Sequence, residues 1–262
     1  MKLRHSKIRS KLRSVLFTLI NRIENNNNAD FFKNGEEQFI NEYFTSITGS
    51  VTLLDVGGNI GEYSEILIDQ CSKRNIGYSL HIFEPTKSCF ETLKNKFGIN
   101  HNVYLNNTGA SDTETTADIY YDAEKSGFAS LYNRDLTSIN VQMNMKEKIT
   151  LVRLDDYIAK NNIAHIDFMK IDIEGHEVSA FTGMGKYLNG DFIKAIQFEY
   201  GGVNLDSKTT LREIYTLLEG SGFVIGKIMS DGIEIRAYSV QMENYQYANY
   251  VALSRKHFPS VQ

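Results

Sequence analysis

The 262-residue chain contains no tryptophan, two prolines and two cysteines. So few cysteines exclude a disulfide-built fold, and neither Cys71 nor Cys89 has metal-ligand spacing. Both lie on predicted helix faces beside apolar residues, so we interpret them as core thiols in a reducing compartment. No apolar run approaches the roughly 18 residues of a membrane span. The run at 15–20 is short and lacks a small-residue cleavage site, so we expect a cytoplasmic protein without a secretory signal.

The chain as a whole also lacks an excess of positive charge. Its 28 basic and 32 acidic residues give a net charge of -4, which argues against general nucleic-acid binding. Since 42% of the residues are hydrophobic, a chain of this length can bury a full core. We predict one domain over residues 35–262, preceded by an extension over residues 1–34.

The first 23 residues differ from the rest because they contain no acid. Their basic residues are Lys2, Arg4, Lys7, Arg9, Lys11, Arg13 and Arg22. One helical stripe is apolar and consists of Ile8, Leu12, Val15, Leu16, Leu19, Ile20 and Ile23. A basic amphipathic helix of this kind suits peripheral contact with an anionic membrane, an organelle-targeting peptide, or docking on its own domain or a second subunit. Docking on a second subunit would make the protein a homo-oligomer. We interpret residues 25–28 as a flexible, Asn-rich linker.

The most informative stretch runs from Val51 to Ser64 and predicts a strand, a tight turn and a helix. The strand carries one acid, Asp55, the helix begins near Tyr63, and both are candidates to bind the same ligand as the turn. The turn between them contains Gly57, Gly58, Asn59 and Gly61. Glycines allow a positive φ or a close approach of a ligand, and the free N–H groups at a helix start suit a polar ligand.

The spacing of the turn does not fit a dinucleotide fingerprint, which needs Gly-x-Gly-x-x-Gly. Counting from Gly57, the third position is Asn59 and the sixth is Glu62. A second predicted strand, 78–83, ends at Glu84-Pro85, where an acid could bind the two hydroxyls of a ribose. After the third strand, Ala110 and Ser111 are candidates to line an adenine pocket, although a plain surface turn would look the same.

A second informative stretch, 166–177, is an apolar strand with charges on alternate residues. The period of two predicts Lys170, Asp172 and Glu174 on one side of the strand. Ligands of open α/β sheets bind at the carboxyl ends of the strands, so these charges are expected at the same site as Glu84. Alternatively, Lys170 simply neutralises Asp172. A fifth strand ends in a further acid, Glu199.

Four blocks of the sequence together resemble the FkbM family of methyltransferases. They are Asp55–Gly61, Phe83-Glu84-Pro85, Arg153–Asp156 and Lys170–Glu177. The resemblance implies a Rossmann-like class I methyltransferase fold: an α/β protein with a mostly parallel seven-stranded sheet, helices on both faces and a reversed C-terminal strand. It also implies S-adenosylmethionine as cofactor and a hydroxyl of a sugar, glycan or related small molecule as acceptor. The family usually has a small residue where this chain has His176.

We interpret residues 113–150 as an insertion on the substrate side, with strands near 117–121 and 149–153. An alcohol needs a base or a metal before it can accept a methyl group. Either His176 or Glu174 takes the proton, or Asp172 and Glu199 bind a divalent cation such as magnesium or manganese. A non-catalytic binding or scaffold protein of the same fold is the alternative function.

Overall fold

The computed structural model describes residues 6–259, so Lys2 and Arg4 of the predicted basic extension lie outside the described residues. The helices are α1 (Lys7–Ile23), α2 (Glu36–Thr45), α3 (Glu62–Lys73), α4 (Lys87–Phe97), α5 (Leu154–Lys160), α6 (Glu177–Gly183), α7 (Val203–Ser207) and α8 (Leu211–Gly220). The strands are β1 (Val51–Val56), β2 (Tyr78–Phe83), β3 (Val103–Asn106), β4 (Gly109–Ser111), β5 (Thr115–Tyr121), β6 (Met145–Arg153), β7 (Ile166–Ile171), β8 (Ile193–Tyr200), β9 (Phe223–Met229), β10 (Gly232–Ile235) and β11 (Ala248–Ser254).

The central sheet has the order β10-β9-β11-β8-β7-β1-β2-β3. Strands β3, β2, β1, β7 and β8 are parallel, whereas β11 runs antiparallel to both of its neighbours. The predicted α/β architecture with a reversed C-terminal strand is therefore confirmed. The predicted number of seven strands is one too low, because the hairpin around Asp231-Gly232 adds β10 to the sheet edge.

The sheet is covered on both faces, which explains why its central strands are buried along most of their length. Every residue of β7 is buried, for example. One apolar cluster packs α5, α6 and α8 against one face, and a second packs α2, α3 and α4 against the other. The two cysteines are free and buried, as the sequence predicts. Within residues 6–259, no helix combines the length and the apolar character that crossing a membrane requires.

The insertion forms a second, three-stranded sheet with the order β4-β6-β5. Strands β5 and β6 pair antiparallel over the whole length of β5, and β4 joins β6 in parallel. Both strands contain the segments that the sequence predicts. Because β4 follows β3 directly, this small sheet begins at the carboxyl edge of the central sheet.

The Asn-rich segment after α1, which the sequence predicts as a flexible linker, forms hydrogen bonds with the domain. Asn25 and Asn27 have φ angles of 52° and 57°, a left-handed conformation that asparagine tolerates. The Asn25 amide donates to the carbonyl of Ile228 at 3.1 Å, and the Asn27 N–H donates to the carbonyl of Tyr247 at 2.8 Å. The segment thus has a defined turn geometry. Helix α1 itself has no buried residue.

Candidate active site

A cavity of about 190 Å³ lies at the carboxyl ends of β1, β2 and β7. The insertion forms its opposite wall. This position is where open α/β sheets bind their ligands. The predicted site residues that line it are Gly57, Asn59, Glu84, Pro85, Ala110, Asp172, Glu174 and His176.

The glycine turn brings β1 and β7 together at the floor of the cavity. Gly57 has a φ of +92°, and a Cβ on it would lie 1.9 Å from the carbonyl oxygen of Asp172. No side chain fits there. The N–H groups of Gly57 and Gly58 both donate to the Phe83 carbonyl at 2.9 Å, which ties the turn to β2. The turn therefore fixes the positions of Glu84 and Asp172 relative to each other.

The carboxylate of Glu84 is oriented by three hydrogen bonds. Its Oε1 accepts from the N–H and the hydroxyl of Thr86 at 2.8 and 2.5 Å, and its Oε2 accepts from the Asn59 N–H at 2.9 Å. Burial raises the pKa of Glu84, while these bonds lower it. Since a carboxylate has about four acceptor positions, one position on Oε2 remains for a ligand hydroxyl. This carboxylate can therefore accept a hydrogen bond from one ligand hydroxyl, whereas the sequence suggests that it binds two.

Several predicted cofactor residues do not line the cavity, because their side chains are used in packing. Asp55 accepts from the Ser64 hydroxyl at 2.5 Å, and burial raises its pKa to about 6. Tyr63 donates to Gln197 at 2.6 Å and stacks against Phe168 in the core. Gly58, Gly61 and Ser111 also lie behind the cavity wall. A Cβ on Gly61 would meet the Phe97 ring at 2.6 Å.

Asp172 extends from the end of β7 into the cavity, as predicted, and forms an ion pair with Lys170. The Lys170 Nζ lies 2.9 Å from Asp172 Oδ2. The lysine side chain is 6% exposed, whereas that of Asp172 is 34% exposed. Burial alone would lower the pKa of Lys170, but the carboxylates of Asp172, Glu36 and Glu199 raise it above its usual value. Lys170 is thus a buried cation among three carboxylates. It pairs with Asp172, as in the neutralising role that the sequence leaves open.

Glu174 occupies a strained position in the turn after β7. Its φ is 50°, and such a left-handed non-glycine residue is a mark of functional sites. Its Oε2 pairs with the Arg134 guanidinium of the insertion at 2.6 Å. Burial and the charge of Asp172 raise the pKa of Glu174, against the influence of Arg134. The turn itself is held by Glu177, which accepts the N–H groups of Ile173 and Gly175.

His176 lies between two hydroxyls and touches both with its ring nitrogens. Its Nε2 is 2.9 Å from the Ser111 hydroxyl, and its Nδ1 is 3.0 Å from the Tyr132 hydroxyl. Burial lowers the pKa of His176, so the ring is neutral at pH 7. The sequence predicted Ser111 for an adenine pocket, but the structure places it behind the wall as a partner of His176.

The residues proposed for a metal are not arranged as a metal site. Glu199 does not line the cavity, and burial together with the Asp172 and Glu174 charges raises its pKa well above the usual range. Among residues 6–259, no group of three or more His, Cys, Asp or Glu side chains is placed to hold a metal ion. The ammonium of Lys170 is the cation that these carboxylates share. The donor set therefore gives the predicted magnesium or manganese no support.

Little in the sequence indicates the wall that β5, β6 and the loop between them supply. This wall consists of Ile119, Ser126, Gly127, Ala129, Leu131, Ile149 and Leu151. The alternating apolar residues of β6 are the signal that could have identified part of it. The insertion is also tied to the glycine turn, since the Asn59 amide donates to the Ser126 carbonyl at 3.2 Å. Cys89 lines the cavity as well, and so is more than a core thiol.

Comparison with known proteins agrees with this arrangement. The family model of the methyltransferase FkbM domain matches residues 55–225, well over half of the chain. No curated protein matches. Similar solved structures include a methyltransferase FkbM from Methylobacillus flagellatus KT, with a TM-score of 0.48 and 15% identity over 80% of this chain and 47% of that one. This chain thus spans about half the length of that protein.

Two further solved structures are similar at lower scores. A putative rRNA-methylase from Clostridium thermocellum has a TM-score of 0.45 and 11% identity, covering 84% of this chain and 97% of that one. Fibrillarin from Aeropyrum pernix, solved with natively bound S-adenosyl-L-methionine, has a TM-score of 0.42 and 9% identity over 79% and 67% of the two chains. At these values the structures carry no argument about function.

Proposed function

Since the chain belongs to the FkbM methyltransferase family, we propose that it is an S-adenosylmethionine-dependent O-methyltransferase acting on a hydroxyl of a sugar, glycan or related natural product. Its fold is the Rossmann-like fold of class I methyltransferases, with β11 reversed inside a mostly parallel sheet and the edge strand β10 antiparallel to β9. The two free buried cysteines support the further proposal of a reducing compartment such as the cytoplasm.

One end of the cavity fits the nucleoside part of S-adenosylmethionine. The free acceptor position on Glu84 Oε2 suits a ribose hydroxyl. Beside it, Pro85, Ala110, Ile149 and Leu151 form an apolar wall that suits an adenine ring. When bound, this cofactor supplies a sulfonium methyl group that is already a good electrophile. The protein must then place the acceptor oxygen in line with that methyl group and remove its proton.

The observation that carries the proposal is the cluster of ionisable side chains at the other end of the cavity. Asp172, Glu174 and His176 all line it. The Glu174 carboxylate is the proposed base, because its raised pKa makes it a better proton acceptor than an ordinary carboxylate. Asp172, fixed by Lys170, is proposed to orient the acceptor hydroxyl.

His176 is proposed to support the acceptor end, not to act as the base. Both of its ring nitrogens already have hydroxyl partners, so neither is free to receive a proton from the substrate. Its contacts join β4, through Ser111, to the insertion, through Tyr132. This connection holds the two walls of the acceptor end at a fixed separation.

The test is a screen of glycans and small alcohols for release of S-adenosylhomocysteine by the full chain, followed by the Glu174→Gln variant on the best acceptor. We expect Glu174→Gln to lose at least 100-fold in kcat, the lower range for a general base, while it binds S-adenosylmethionine in a calorimeter as the unchanged protein does. The exposed carboxylate Glu114 gives the matched control, and Glu114→Gln should keep full activity.

Two outcomes would contradict the proposal. Full turnover by Glu174→Gln would remove Glu174 as the base. Cofactor binding without turnover of any acceptor would favour the alternative of a non-catalytic protein that binds S-adenosylmethionine. The observation that favours this alternative is that Glu174 and His176 both have protein partners.

A further inference from the structure

Helix α1 exposes an apolar surface that nothing in the described part of the chain covers. None of its 17 residues is buried. The large apolar side chains of the stripe are 49–81% exposed and comprise Ile8, Leu12, Val15, Leu16, Leu19, Ile20 and Ile23. A continuous apolar stripe of this length is unusual on a protein surface that faces only water. It therefore implies a partner.

The charges of α1 are arranged around this stripe in a specific order. At 3.6 residues per turn, Arg9 and Arg13 border the stripe on one side, and Lys11 and Arg22 border it on the other. The face opposite the stripe carries Ser10, Ser14, Thr18 and Asn21, together with Lys7 and Phe17. Long basic side chains at both borders can reach the phosphates of a bilayer while the stripe enters the acyl boundary.

The same arrangement is unfavourable for pairing two copies of α1. Two helices that bury their apolar stripes against each other bring the bordering rows into contact. Here both rows are basic, and α1 contains no acid that could compensate them. The charges would repel each other in a homodimer, whereas they complement an anionic surface.

The C-terminal end of α1 is attached to the domain by ion pairs and hydrogen bonds. Lys227 and Arg236 both pair with Glu24, and the Lys227 Nζ donates to Asn26 at 2.6 Å. The Asn27 N–H donates to the carbonyl of Tyr247. The next residue, Ala248, begins β11 and pairs with Tyr200 at the end of β8. This is the carboxyl edge of the sheet. A surface that binds α1 is therefore close to the edge that carries the candidate active site.

We propose that α1 is a docking helix for an anionic phospholipid surface. Its apolar stripe lies in the outer acyl region of one leaflet, and Arg9, Lys11, Arg13 and Arg22 contact lipid phosphates. The partner is the lipid surface itself, and no membrane-spanning segment is needed. Docking holds the carboxyl edge of the sheet near the bilayer. This proposal does not depend on the reaction proposed above.

The experiment is co-sedimentation of the full chain with vesicles of phosphatidylcholine, with or without phosphatidylglycerol. We expect binding to the vesicles with phosphatidylglycerol, weakened by added salt, and little binding to phosphatidylcholine alone. The Arg9→Gln/Arg13→Gln variant should bind roughly 30-fold more weakly, from about 5-fold for each charge. The Leu12→Glu/Leu19→Glu variant should lose binding.

The matched control is Ser14→Gln/Thr18→Gln, which changes two residues on the face away from the stripe and should bind as the unchanged chain does. Because α1 has no buried residue, all variants are expected to keep the melting temperature of the domain. Equal binding by the charge variant and the control would overturn the proposal. The absence of vesicle binding would overturn it as well. If analytical ultracentrifugation then showed a dimer, and Leu12→Glu/Leu19→Glu made it monomeric, the partner of α1 would be a second copy of the chain.

Discussion

The Lys170→Met substitution should destabilise the domain strongly, because it removes the cation from a buried acidic cluster. Lys170 is 6% exposed and shares its charge with Asp172, Glu199 and Glu36. Methionine has a similar length and keeps the packing. Loss of one partner from a buried charge cluster costs about 3–5 kcal/mol. Since Asp172 is 34% exposed and partly screened by water, we expect the lower end, about 3 kcal/mol.

The assay is urea unfolding of Lys170→Met at two pH values, with Lys146→Met as the matched control. Lys146 lies on β6 and pairs with Asp118 at 3.0 Å, but its side chain is 61% exposed. The control should lose about 1 kcal/mol or less.

The pH dependence has a definite sign. Lys170 lowers the pKa of the buried Glu199, so without Lys170 this pKa rises further, and lowering the pH protonates Glu199 and relieves the repulsion. The deficit of Lys170→Met should therefore be larger at pH 7.5 than at pH 5.5. A loss no greater than that of the control, or a deficit that grows as the pH falls, would refute the assignment of Lys170 as the shared cation.

Two more predictions concern single side chains. Because the pKa of Asp55 is raised to about 6 from about 4, its burial costs stability as the pH rises through this window, and the cost is complete above pH 6. The free energy of unfolding of Asp55→Asn, measured in urea, should thus rise relative to that of the unchanged chain by up to about 3 kcal/mol between pH 4 and pH 7. Parallel pH profiles of the two chains would contradict this prediction. Arg134→Met should move the acidic limb of kcat to higher pH, since Arg134 lowers the pKa of Glu174; an unmoved limb would separate Glu174 from the rate.

The central sheet was predictable because its signals are local and redundant. Val51–Val56 and its glycine turn indicate a strand and a helix start. The sheet has one strand more than the expected seven because the short edge strand β10, four residues long and nowhere fully buried, joins it. The fixed turn at Asn25 and Asn27 was missed because its bonds reach residues more than 200 positions away.

The site was predictable where a residue type follows from the end of a strand. Glu84 and Asp172 were found in this way. Whether a side chain points into the cavity or into the core depends on partners in distant segments of the chain. Tyr63 points into the core, where it bonds to Gln197. Arg134 could not be assigned, because nothing local to the insertion indicates that it reaches Glu174.

The most direct measurement of the central claim is a calorimetric titration of the full chain with S-adenosylmethionine, with NAD as the comparison ligand and Glu84→Gln as the variant. The unchanged chain should bind S-adenosylmethionine at one site and NAD not at all. Glu84→Gln should bind at least 10-fold more weakly, because its amide faces the Asn59 N–H and replaces the acceptor for the ribose. Equal binding by Glu84→Gln, or a preference for NAD, would contradict the proposed cofactor site.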